Sequence, residues 1–327
     1  MMQMQSSLNR FLFTVLAVWV AGSIGAVFYA HQQNIPTGIT AVILPALLLE
    51  VAMYLATGFE GVRSRLLACG SALPALLVGS ALPGYLLTSV AFGGFRVDHF
   101  ALLTALTAIF VFWYRVLPRR LGWDLLFLAF GAAVVLSKVF GDLYVNPAVK
   151  PKLDILGRMM WVRLGIMSVL LLRGAPGVDY GFIPRVREWA VGARYYAYAL
   201  ALITPLAFGL GFVQHPTAAF TGKTMLTAAL TFAGMLWFVA LFEELFFRGL
   251  LQQWLSDSMG NTTAGLLVTS VLFGSAHLGF GRFPNWKFAI IATCAGVIYG
   301  MAYARAGLRG SMVTHALLAT TWRVVFG

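Results

Sequence analysis

Two adjacent glutamates and an arginine, Glu243-Glu244-x-x-x-Arg248, sit in a stretch that is otherwise apolar and aromatic, among Trp237, Phe238, Val239, Leu241, Leu245, Phe247 and Leu250. An ionised side chain at bilayer depth costs about 2.5–3.5 kcal/mol on insertion scales, so three so close together mark the segment as a functional site by default. Glu244 and Arg248 are four residues apart, on one helical face with the acid on the N-terminal side, the favourable order for an ion pair. Pairing also lowers the cost of burying either charge. Glu243 points about 100° away and has no local partner, which leaves it free to act as a base.

Two histidines follow on separate apolar stretches, His277 in Phe273-Gly-Ser-Ala-His277 and His315 in Ser311-Met-Val-Thr-His315. With a turn at residues 257–261, Glu243 and His277 lie roughly 20 and 24 Å from the same end of an antiparallel helical hairpin. That similar depth lets the two side chains meet. His315 comes out shallower, roughly 9–15 Å above a loop at residues 305–309, before any helix tilt. A glutamate, two histidines and an arginine within a bilayer suit hydrolysis of a peptide bond. The carboxylate, helped by an imidazole, activates a water, and a second imidazole stabilises the oxyanion of the tetrahedral intermediate.

The elements that must carry these residues are membrane helices. The chain has 327 residues, 60% of them hydrophobic and only 10% charged, where a soluble domain has roughly 25% charged. Apolar runs of about 20 residues recur along its length, and alternation with a period of two, the mark of a transmembrane barrel, is absent. The expected fold is therefore all-α, a polytopic transmembrane helical bundle of about 10–11 spans. These fall near residues 11–30, 39–57, 66–91, 99–117, 123–141, 156–173, 195–213, 224–256, 262–280, 286–304 and 309–326. The repeated Gly70-Ser-Ala-Leu-Pro74 and Gly79-Ser-Ala-Leu-Pro83 put two prolines in the third span and predict kinks. Residues 174–194, with Arg185, Arg187, Trp189 and Arg194, read as a helix lying in the interface. They also form the seam between an N-terminal helical region of unassigned role, 1–194, and a core, 195–327.

A net charge of +12 does not imply nucleic acid as a partner. The basic residues are scattered singly and in pairs between apolar runs, as topology signals are, and no basic run exists to make a nucleic-acid patch. Their distribution favours a cytoplasmic N-terminus. Cys69 and Cys294 lie in apolar segments as small packing residues. Ala292, Gly296, Gly300 and Ala304 form a small-residue stripe for close helix packing. Glu50, another intramembrane acid, is expected to pair with Arg158, Arg163 or Lys138. His31, His99 and His215 fall near span ends, where exposure explains them.

Glu-Glu-x-x-x-Arg, then Phe-x-x-x-His, then a later His, together resemble the CPBP family of intramembrane proteases (the Abi domain), which includes the type II CAAX prenyl endopeptidase. The resemblance covers about residues 195–327, and its first motif extends through Leu245, Phe247, Gly249 and Leu251. It implies that Glu243 and His277 activate water, that Glu244 and Arg248 brace the site, and that His315 helps form the oxyanion hole. It further implies a membrane-associated protein or peptide as substrate, lipidated or C-terminally processed proteins among the candidates, and a place in the bacterial inner (plasma) membrane. No cofactor is expected; were the enzyme metal-dependent, Glu243, His277 and His315 would be the zinc ligands. The family's third motif usually continues as His-x-x-x-Asn, whereas this chain has Ala319. Two other functions fit the same residues: a catalytically weak relative acting as a membrane binding or immunity partner, and a proton-coupled transporter built on the buried acids.

Overall fold

In lipid every backbone N–H and C=O must be satisfied within its own segment, so apolar runs become helices. The computed structural model describes residues 2–175, 178–213 and 221–326, and His215 lies outside them. Among the described residues every regular element is helical, and seven helices are long and apolar enough to cross a membrane. The chain is a multi-pass helical membrane protein that divides into two compact units, Met1–Ala175 and Pro176–Gly327.

The first unit contains α1 (Met2–Gln32), α2 (Thr37–Ala56) and α3 (Glu60–Ala68). The third expected span is then broken as its prolines require. Gly70–Ala72 is a 3-10 turn, and Pro74 and Pro83 each sit in the first turn of a short helix, α4 (Leu73–Gly79) and α5 (Leu82–Ala91). There a missing N–H forfeits no helical bond. After these come α6 (Val97–Val116), α7 (Leu121–Leu136), α8 (Val139–Leu143) and α9 (Asp154–Met167), the last extended by a π-helical stretch, Ser168–Arg173.

Of the partners considered for Glu50, the structure selects Arg163, which donates Nε to Oε1 at 2.7 Å and Nη2 to Oε2 at 3.3 Å. The same guanidinium donates to the Ser80 hydroxyl at 2.8 Å and the Ser80 carbonyl at 3.0 Å. Ser80 lies between the two prolines, so the broken span supplies a free carbonyl that helps to satisfy a buried cation.

The second unit is built from α10 (Val186–Gly209), α11 (Gly222–Met259), α12 (Thr262–Ser275) and α13 (Trp286–Thr321). The interfacial helix expected at residues 174–194 is not a separate element. From Val186 onward it forms the first turns of α10, started by the Glu188 carboxylate accepting from the Arg185 backbone N–H at 2.5 Å. Glu188 also pairs with Arg309 at 3.0 Å, so the carboxylate in these turns meets a partner inside the protein. The last two expected spans form α13, interrupted only at Ala306 and Gly307. Gly307, with φ 65° and ψ −164°, occupies backbone space that belongs almost solely to glycine. The other departures from ten or eleven spans are α7 and α12, apolar but short, and α10, whose first turns carry Arg187, Glu188 and Arg194.

The core joins Ala199, Ile203 and Ala207 of α10 to Phe273 of α12 and to Ile291, Ala295, Ile298 and Tyr299 of α13. A Cβ at Gly192 would lie 2.5 Å from Val313 and 3.0 Å from the Gly310 carbonyl, so α10 and α13 meet backbone to backbone. The small-residue stripe behaves as expected, with α11 and α12 as its neighbours: a Cβ at Gly300 would lie 2.6 Å from Gln252 Oε1 and collide with Leu266.

Glu50→Ala should strand the Arg163 charge and lower unfolding stability by about 3–5 kcal/mol, whereas Glu50→Leu combined with Arg163→Met should recover most of the loss. Denaturant unfolding in detergent tests this, and a double variant as unstable as the single one would refute the pairing as its cause.

Candidate active site

Helix α11 is not uniform. One α-helical turn, Leu241–Glu244, is held between two π-helical stretches, Met235–Ala240 and Leu245–Gln252. Such wide turns are rare and concentrate at functional sites. Here the glutamate pair sits between two of them.

Glu244 is fully buried, and α11 and α13 supply its partners. Oε1 accepts from His315 Nδ1 at 2.8 Å; Oε2 lies 3.4 Å from Arg248 Nε and against the Ser311 hydroxyl. Ser311 also lies 3.0 Å from the Tyr299 carbonyl, so its single proton goes to one of these two acceptors. Ser311 and His315 are four apart, on one face of the second arm of α13, which is why both reach the same carboxylate.

Arg248, also fully buried, donates Nη2 to the Gly296 carbonyl at 3.1 Å. Its guanidinium lies 4.4 Å from the Phe273 ring centroid, 5.5 Å from that of Tyr299 and 5.6 Å from that of Phe247. Aromatic faces stabilise a desolvated cation electrostatically. A Cβ at Gly296 would come 3.2 Å from Nη2; the packing stripe therefore also makes room for the guanidinium.

His315 is stacked on Tyr299, with centroids 4.6 Å apart and an interplanar angle of 12°, and meets Phe273 edge-on at 5.9 Å. Because a carboxylate only accepts, Nδ1 is the donor to Glu244, and the other nitrogen is left for chemistry. That nitrogen, Nε2, faces Glu243 Oε2 at 3.9 Å. Glu243 is 29% exposed, yet its Oε2 is buried with no hydrogen-bond partner. Consecutive side chains on an α-helix diverge by about 100°, but here both glutamates reach one imidazole. The shallower depth expected for His315 is thus not observed. The connection before it is a two-residue break in a continuous helix rather than a surface loop, so α13 carries His315 to the level of the glutamates.

His277 is not inside a helix as expected. Helix α12 ends at Ser275 and His277 lies in the turn beyond, its backbone N–H donating to the Gly274 carbonyl at 2.9 Å. Its ring Nδ1 donates to the Phe273 carbonyl at 2.7 Å, which leaves Nε2 as an acceptor. Among the described residues no hydrogen bond or ion pair joins His277 to Glu243. The two histidines and Arg248 are instead connected through Phe273, whose ring touches all three, His277 at 4.7 Å.

Of the hydroxyls near Ala319, Ser311 is committed to Glu244 and Tyr299, and Thr314 to the Gly192 and Gly310 carbonyls, both at 3.1 Å. The Thr320 hydroxyl is buried without a partner. Among the described residues no group of three or more His, Cys, Asp or Glu side chains is arranged to hold a metal ion.

Sequence reasoning missed Tyr299 and Arg309 and assigned Ser311 no contact with Glu244. The four-residue spacing of Ser311 and His315 was the available signal for the serine. Nothing pointed to Arg309, which fixes the start of the second arm through Glu188 and Asp179.

Residues 225–321 match the family model for Rce1-like proteins, described as type II CAAX prenyl endopeptidase Rce1-like. The match covers just under a third of the chain and includes Glu243, Glu244, Arg248, His277 and His315. It supports a CAAX-type intramembrane protease of the CPBP family. No curated protein and no solved structure matches the chain.

The two adjacent acids should differ sharply in what they hold up. Glu244→Gln removes the charge opposite Arg248 and should cost about 3–5 kcal/mol, while Glu243→Gln should stay within about 1 kcal/mol of the parent. Equal losses in detergent unfolding would contradict this division.

Proposed function

We propose that this chain, through the family its second unit matches, is a membrane-embedded endopeptidase. It cleaves a peptide bond in a membrane-associated protein or peptide by a glutamate mechanism without a cofactor. One observation carries the reading: a half-buried carboxylate with a partnerless oxygen, Glu243, faces an imidazole whose other nitrogen is held by a fully buried, arginine-braced glutamate.

Glu243 takes a proton from water as the water oxygen attacks the carbonyl carbon of the scissile bond, and His277 assists through its free Nε2. The carbonyl oxygen becomes the oxyanion. His315, held through Nδ1 by Glu244, donates from Nε2 to the oxyanion, a role that requires both ring nitrogens to carry a proton in that step. Collapse of the intermediate breaks the C–N bond, and Glu243 passes its proton to the departing nitrogen. Glu244 and Arg248 take no proton; they hold the imidazole in place. The core, residues 195–327, is the catalytic part, and the N-terminus lies in the cytoplasm of a bacterial cell whose inner membrane holds the chain.

Ala319 favours a second reading, a catalytically weak relative that acts by binding, since it removes the donor that the family's motif would place one turn beyond His315. Loss of one oxyanion-hole donor costs about 10²–10³ in rate.

Comparative membrane proteomics of cells expressing wild type, Glu243→Gln or His277→Ala should show an uncleaved membrane substrate accumulating in both variants, with cleavage reduced about 10²–10⁴-fold. Processing that continues unchanged in both overturns the protease reading, and a phenotype lost only on deleting the chain selects the binding one. Ala319→Asn should raise the cleavage rate by up to about 10²-fold, as read from single-turnover cleavage of the substrate so identified. No gain would mean that the oxyanion is already fully held.

A further inference from the structure

The first unit carries a groove of about 360 Å³ between α1, α2 and the start of α9. Its walls are apolar along their length: Gly22 and Gly25 from α1, Ile43 and Leu47 from α2, and Leu156 from α9. Its polar end is Lys152, beside Pro151 and near Ile35 in the turn between α1 and α2. The groove thus opens where the α1–α2 hairpin turns and runs inward from there. From Ala30 to Gly22 it extends roughly 12 Å along α1 at about 1.5 Å per residue, close to the depth of one leaflet of a hydrocarbon core about 30 Å thick.

The apolar lining along this length suits an extended hydrocarbon chain. Charge decides what kind of molecule carries it. Lys152 is exposed at the mouth, and Lys150 beside it donates only to the neutral Gln33 side chain at 3.1 Å. The nearest acid in the sequence, Asp154, is taken up by Arg158 at 2.7 Å. No carboxylate lines the groove among the described residues.

We infer that this groove is a binding site for a single anionic glycerophospholipid, one of its two acyl chains along α1 and α2 and its headgroup phosphate at Lys152 and Lys150. The open wall at Gly25 belongs to this arrangement, because a Cβ built there meets no atom within 4 Å. A larger side chain at that position grows into the groove and not into the fold.

The test uses the full chain, purified in detergent, stripped of lipid and titrated with phosphatidylglycerol or phosphatidylcholine of identical acyl chains, with retained lipid read by native mass spectrometry. Wild type should keep one phosphatidylglycerol and prefer it at least about fivefold, the worth of one basic residue beside an anionic headgroup. Lys152→Glu should abolish the preference without abolishing retention. Gly25→Leu should lose the retained lipid at an unchanged melting temperature. Equal retention of the two lipids by wild type, or a preference that survives Lys152→Glu, overturns the proposal, as does retention undiminished by Gly25→Leu. Should Gly25→Leu fail to fold, the lipid ratio in Lys152→Glu decides alone.

Discussion

The second unit is organised around one carboxylate. Glu244 has no access to solvent and lies inside a chain that crosses a membrane, so its charge persists only because a guanidinium, an imidazole and a hydroxyl converge on it. Arg248 comes from its own helix, while His315 and Ser311 come from the second arm of α13. That arm must therefore lie at one depth and in one rotation. The features around it serve that placement: the glycine break at 307, the backbone contact of Gly192 with α13, the opening at Gly296 for the guanidinium, and Arg309 anchored to Glu188 and Asp179.

Identical chemistry in adjacent positions is thereby split into two roles. Glu244 spends its acceptor capacity on the protein and cannot serve a substrate, whereas Glu243 keeps a buried oxygen unspent. Environment, not residue type, separates acid from brace, as it does wherever two carboxylates share a site. The first unit provides the contrast. Glu50 is as deeply buried as many catalytic acids, but Arg163 and Ser80 close its network with no histidine and no orphaned oxygen on the glutamate. It reads as a strut.

Much of this was legible because membrane helices obey few rules. Apolar run length located the helices, the prolines located the broken third span, and the four-residue spacing of Glu244 and Arg248 announced their pairing. The rest was hidden where tertiary contact overrides local pattern. The π-helical turns around Glu243 and Glu244 leave no trace in a 3.6-residue periodicity. The apolar sequence continues past Ser275, so nothing in it announced that α12 would stop there and free His277 to turn. That Glu188 would be buried against Arg309 was hidden because the two lie 121 positions apart in the chain. Ser311 was visible as a hydroxyl near the site, but not as a ligand of Glu244, because that depends on how α13 rotates against α11.

Glu244 and His315 are 71 residues apart, and this separation has a temporal meaning. At synthesis rates of about 5–20 residues per second, a nascent chain carries Glu244 for about 4–14 s before its imidazole partner exists. During that interval the only countercharge within reach on the same helix is Arg248, one turn away. The local pair thus acts before it braces any catalyst: it lets a helix bearing an obligate acid enter the bilayer with that charge already answered, and the histidine arrives later at a site prepared to receive it.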